Sequence, residues 1–280
     1  MPAPRFTAPE GTVECHSHVY DPARFPYPDP NRVFPAHTVA DFTAMLARLG
    51  VRRAVIVQPS HYMFDNACTL DAVATMNALN PHDARAVVTP TPDCDAAEIR
   101  RLHEAGGRGA RFFLPKGLGW EHLERIAALV APFGWHVQIQ DLDGSRLTDQ
   151  AARLLALPCP VVIDHIGRIP PGPGPRTGAT HPAFLALLKM LESGRVWVKL
   201  SAPYYSSASG YPYSDAEPRV RALLETRPDR LVWGANWPHP DQDPKPDDVA
   251  DFALLPDWIP DEAMRGKILR DNAEALYFYA

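Results

Sequence analysis

Eight short apolar runs, each bounded by turn residues and followed by a stretch of helical periodicity, constrain this chain more than any other feature. They are 13–18 (VECHSH), 53–58 (RAVIVQ), 86–91 (AVVTPT), 109–114 (GARFFL), 136–140 (HVQIQ), 161–165 (VVIDH), 196–201 (VWVKLS) and 231–234 (LVWG). Several are nearly continuous in β-branched residues, the pattern of parallel strands covered on both faces. Between them lie helical patterns. Over 38–49, Val39, Phe42, Met45, Leu46 and Leu49 share one face, with Thr38 placed as N-cap and Gly50 as the stop. The stretches 70–79, 96–105, 120–131, 149–157, 182–191, 217–224 and 260–276 behave alike. Strand then helix, eight times over, predicts an α/β fold of the (β/α)8 TIM-barrel type, with residues 1–280 as a single domain. A doubly wound open sheet alternates in the same way; the count of eight and the length select the barrel. The proline-rich stretch 169–180 (IPPGPGPRTGAT) reads as the loop after the sixth strand.

Composition excludes several classes of function. Apolar residues make up 46%, enough for a sizeable core. The net charge is −5 with no long run of either sign, so neither nucleic acid nor a membrane surface is an expected partner. No apolar run reaches the roughly 18 residues of a membrane span, and no leader pattern is present. The four cysteines have no CxxC spacing and read as reduced thiols of a cytoplasmic protein. No phosphate-cradling glycine motif occurs. Nothing in the residue pattern speaks to oligomeric state.

A barrel places its chemistry at the C-terminal ends of the strands. Those ends are unusually polar here. They carry His16 and His18, then Ser60 and His61, then Arg111 with Lys116 beyond it. Further on come Gln140, Asp164-His165 with Arg168, Lys199 with Tyr204 and Tyr205, and finally Asn236 with His239. His16 and His18 are two apart, so both are expected on one face of their strand. Arg168 is expected to pair with Asp164 or Asp143. Tyr27 is placed to fold a proline-stiffened loop over the mouth.

In this order, ECHSHVYDP, VIVQPSHYMFDN, GGRGARF, VVIDHIGR and LVWGANWPHP resemble the amidohydrolase superfamily. More narrowly, they are similar to the branch containing 2-pyrone-4,6-dicarboxylate lactonase and D-galactarolactone isomerase. The resemblance extends to the closing DNAEALYFY. It implies a lactone-processing enzyme, hydrolytic or isomerising, acting on a small anionic lactone or related organic acid. The superfamily's usual metal site would map to His16, His18, His165 and position 236. This branch implies no metal and no other cofactor: the strand-one and strand-six histidines polarise the lactone carbonyl, and a strand-eight Asp activates water. The resemblance also makes Arg111 and Ser60 substrate contacts. Gly117 and Tyr205 stand where the pyrone lactonase has further arginines, and Gln140 where it has a tyrosine. The pyrone dicarboxylate is therefore not the expected substrate.

Position 236 departs from the pattern. Asn does not titrate near neutral pH, cannot act as a general base, and ligates zinc poorly. An isomerase that uses a hydroxyl of the substrate as nucleophile has no need of activated water. The expected catalytic set is His16, His18, His165 and Asn236. The expected substrate contacts are Ser60, His61, Arg111, Lys116, Gln140, Arg168, Tyr204 and Tyr205. Two alternatives stand beside this: a zinc-dependent hydrolase or decarboxylase using His16, His18 and His165, and an inactive or engineered Asp-to-Asn form of a lactonase.

Overall fold

A computed structural model describes residues 6–114, 117–142, 144, 146–171 and 177–279. Eight parallel strands lie in chain order: β1 (Val13–Ser17), β2 (Arg53–Val57), β3 (Ala84–Val88), β4 (Gly107–Phe113), β5 (His136–Gln140), β6 (Val161–Ile163), β7 (Val196–Leu200) and β8 (Leu231–Trp233). Helices α1 (Val39–Leu49), α2 (Ala67–Leu79), α3 (Ala96–Glu104), α4 (Leu123–Val130), α5 (Leu147–Leu155), α6 (Pro182–Glu192) and α7 (Glu217–Thr226) follow the first seven strands. Two backbone hydrogen bonds just beyond β8 close the seam: Asn236 N donates to His16 O at 2.7 Å, and His18 N donates to Trp237 O at 2.8 Å. The chain is a (β/α)8 barrel.

Local chemistry explains the elements. Thr38 and Asp41 form a reciprocal capping box at the start of α1, and Gly50 ends it at φ 71°. Phe42, Met45, Leu46 and Leu49 are the face that α1 buries. The barrel interior holds Val13, Cys15, Val55, Val57, Val87, Val162, Trp197 and Val232. Ala273, Leu276 and Tyr277 of the C-terminal helix (Asn272–Tyr277) join that cluster and close the end of the barrel away from the site.

Most boundaries shift by one to three residues from the sequence pattern, and two differences have a clear form. The third strand starts at Ala84 and ends at Val88, short of the expected 91 because Pro90 has no N–H to continue a ladder. The stretch 260–276 is not one helix: a π-helical segment, Lys267–Asp271, separates Glu262–Gly266 from Asn272–Tyr277. Among the described residues, no helix is long and apolar enough to cross a membrane.

Candidate active site

The strand-one histidines owe their placement to a bulge. Glu14 pairs with Ala54 and Ser17 with Ile56, so β1 spends one residue more than β2 between the two pairs. The His16 and His18 rings then converge, centroids 5.1 Å apart, and His165 lies 4.4 Å from His16. Gly234 makes room for this: a Cβ there would come within 2.7 Å of His16 Cβ. Glu14 Oε1 ties the two strand ends together by accepting from His16 N at 2.9 Å and Ala235 N at 2.7 Å. Burial raises the Glu14 carboxyl to about 7.

Each imidazole has a defined partner. His18 Nδ1 lies 2.8 Å from Val57 O, which can only accept, so Nδ1 carries the proton. Burial, with help from the Arg111 charge, depresses His18 to about 3. The neutral ring therefore turns its Nε2 lone pair toward the pocket. His16 Nδ1 lies 3.2 Å from Asp164 Oδ1 and 3.3 Å from Lys199 Nζ. Lys199 also donates to Cys15 O at 2.7 Å and sits 3.9 Å from Asp164 Oδ1. Burial lowers Lys199 to about 8, against the pull of Asp164. Asp164 Oδ1 can only accept and Lys199 Nζ can only donate, so the two compete for His16 Nδ1: a bond to Asp164 puts the proton on Nδ1, and one from Lys199 puts it on Nε2. His165 Nδ1 is 2.8 Å from Ser201 Oγ. Burial holds both His16 and His165 well below the usual imidazole range. His16, Asp164 and His165 also bring possible ligating atoms within 4.8 Å of one another.

Above these rings opens a pocket with a free volume of about 330 Å³, counting its mouth. Of the expected residues it gathers His18, Ser60, His61, Arg111, Gln140, Tyr205 and Asn236. His16 lies buried beside His18, and His165 lies buried against His16. Tyr204 lies behind Asn236, and Arg168 stacks on the Tyr205 ring at 3.7 Å. Arg168 pairs with Asp241 (3.7 Å) rather than Asp164; Asp143, its other expected partner, and Lys116 fall outside the described residues. Tyr27 packs against Tyr62 in a tilted ring pair with centroids 4.8 Å apart and donates to Phe34 O, holding its loop on the 60–62 turn.

Arg111 is the dominant charge. It is buried, its terminal nitrogens donate to Gln58 O and Gln140 Oε1, and its Nε has no partner. Among the described residues no carboxylate forms an ion pair with it. Burial lowers its pKa. Asp164 and Asp241 act on it only from a distance, so the buried guanidinium stays costly and an anionic ligand in direct contact would relieve that cost.

Asn236 is buried at φ 66°, a left-handed conformation that Asn and Asp both tolerate. Its Nδ2 donates to Tyr204 Oη at 2.7 Å, and its O closes a turn with His239 N at 2.8 Å. Three contributors were not marked by the sequence pattern. Tyr20 and Asp241 line the pocket, and Arg32 reaches Ser60 Oγ at 3.3 Å. All three lie in loops, where no periodicity assigns a direction.

Residues 13–279 match the family described as Amidohydrolase. A 2-pyrone-4,6-dicarboxylate hydrolase of Comamonas testosteroni is 34% identical, covering 98% of this chain and 92% of its own. A D-galactarolactone isomerase of Agrobacterium fabrum is 33% identical, covering 98% and 94%. An apo crystal structure from Agrobacterium tumefaciens matches with a TM-score of 0.83 at 32% identity, covering 99% of both chains.

Proposed function

The chain belongs to the amidohydrolase family, and from that premise we propose that this lactone-processing enzyme works without a metal and rearranges a small, carboxylate-bearing, hydroxylated lactone. The observation that carries this is the pocket end of strand eight, where a buried amide stands between Tyr204 and the pocket. The 2-pyrone-4,6-dicarboxylate hydrolase and the D-galactarolactone isomerase act on lactones that carry carboxylates, which suits the unpaired charge of Arg111.

Arg111 binds the substrate carboxylate, with Ser60 and Gln140 flanking it. The lactone carbonyl sits over His16 and His165; in the tautomers this reading requires, Lys199 donates to His16 Nδ1 and Ser201 to His165 Nδ1, and the two Nε2–H groups stabilise the tetrahedral oxyanion. A second hydroxyl of the substrate attacks that carbonyl. Its proton passes to the His18 Nε2 lone pair. The ring C–O bond then breaks, and the same proton returns to the departing oxygen. The proton balance closes within the site. Before the proton transfer to His18, Asn236 accepts the hydrogen bond of the attacking hydroxyl and so orients it, but it cannot generate hydroxide.

The donor set does not fit a divalent ion. The Asp164 carboxylate already faces the Lys199 ammonium, the Arg111 guanidinium stands close by, and strand eight offers a neutral amide. Activity on lactones is therefore expected to survive prolonged dialysis against strong chelators, with no gain on adding zinc or manganese. A loss restored by one metal would overturn the metal-free reading.

One observation favours hydrolysis as a second reading. Asp241, the one carboxylate lining the pocket among the described residues, is placed to meet a water there.

A further inference from the structure

A chain of hydrogen bonds runs from the outer helix Asp248–Phe252 to the amide of Asn236. Asp248 Oδ1 lies 3.0 Å from His239 Nε2, His239 Nδ1 lies 3.0 Å from Tyr204 Oη, and Tyr204 Oη lies 2.7 Å from Asn236 Nδ2. Asp248, His239 and Tyr204 come from a helix, the loop after β8 and the turn after β7, and the proposed mechanism leaves all three unused. From this geometry we infer that Asp248, His239 and Tyr204 form a positioning relay of fixed direction, which holds the Asn236 carbonyl oxygen toward the substrate as an acceptor only.

The direction follows from what each group can do. An ionised Asp248 accepts only, so His239 Nε2 must donate to it. A neutral imidazole then has an acceptor at Nδ1. Tyr204 supplies its proton there, which leaves its oxygen to accept from Asn236 Nδ2. Burial holds the Tyr204 phenol well above its ordinary pKa, so it keeps the proton that it donates. The opposite orientation of the amide would require Tyr204 to donate to Asn236, and His239 Nδ1 would then have to carry a proton of its own. His239 would have to be an imidazolium. The other charged groups facing His239 are Asp251, which burial raises to about 6, and Lys245, whose Nζ donates to His239 O at 2.6 Å. Both His239 and Asn236 hold left-handed φ values, 54° and 66°, and the His239 N–O Asn236 turn links their backbones. The relay thus starts from a rigid corner.

The inference rests on the functional reading for its purpose, but its test does not. In protein labelled with 15N at histidine, His239 is expected as the neutral Nε2–H tautomer at neutral pH. In Asn236→Asp the carboxylate can only accept, so Tyr204 must turn its proton to it and His239 must become protonated at both nitrogens. Tyr204→Phe in the Asn236→Asp background is expected to abolish that response. In the otherwise unaltered protein, Tyr204→Phe is expected to lower kcat by about tenfold with KM little changed. Asp248→Asn, at the far end of the chain, is expected to mix the two His239 tautomers and reduce kcat in step. A wild-type His239 with its proton on Nδ1, or a tautomer indifferent to Asn236→Asp, overturns the relay. An intact relay in a protein that turns over no lactone counts against the functional reading alone.

Discussion

His18→Asn is expected to lower kcat by about 10³-fold, with KM for the lactone nearly unchanged. The substitution isolates one atom. The asparagine amide can still donate to Val57 O, the bond that now holds His18 Nδ1 at 2.8 Å, so the tie between the ends of β1 and β2 is kept. What disappears is the Nε2 lone pair that faces the pocket. His18 suits a transient proton carrier because burial and the Arg111 charge hold it near 3. An imidazolium formed there is unstable and returns its proton quickly. Steady-state kinetics beside a thermal melt check this. An unchanged melting temperature with kcat reduced by orders of magnitude is the expected pair. A variant that keeps most of its kcat would remove His18 from the chemistry.

Arg111→Met is expected to lower kcat/KM for carboxylate-bearing lactones by about 10³-fold. The corresponding uncharged methyl esters should lose far less. Two charge-assisted hydrogen bonds to a carboxylate, each contributing about 1.5–3 kcal/mol, account for the size of the effect. The contrast between acid and ester separates charge pairing from a structural role. Arg111 also holds Gln58 O and Gln140 Oε1, and a purely structural loss would affect both substrates alike. Equal losses on acid and ester would show that the guanidinium braces the pocket and does not bind the anion.

The barrel was legible because its signal is redundant. Eight β-branched runs recur between apolar helical faces, and a local slip such as the one at Pro90 moves a boundary without changing the topology. The π-helical segment at Lys267–Asp271 left no mark, since its apolar spacing still passes for a helix. Strand ends also told which polar residues meet, and seven of the expected residues line one pocket. What each does was less visible. The donor or acceptor character of His18 depends on the carbonyl of Val57, 39 residues away, and a backbone partner has no side-chain signature. Tyr204, Asn236 and His239 come together only because two loops fold over the same seam. Asp248 completes the chain from a helix beyond them. Lys199 stood out only as a polar strand end; its ammonium donates to Cys15 O and lies beside His16 Nδ1 and Asp164, contacts that no spacing reveals.

The central claim is that the reaction excludes water, and labelled solvent tests it most directly. The enzyme would be incubated with galactarolactones and muconolactones in water enriched in oxygen-18, and products followed by proton NMR and mass spectrometry. The account predicts a lactone of altered ring position, free of label, with no open-chain acid accumulating. Open-chain acid carrying oxygen-18 in its new carboxylate would contradict it, and would make Asp241 or His18 the base of a hydrolase.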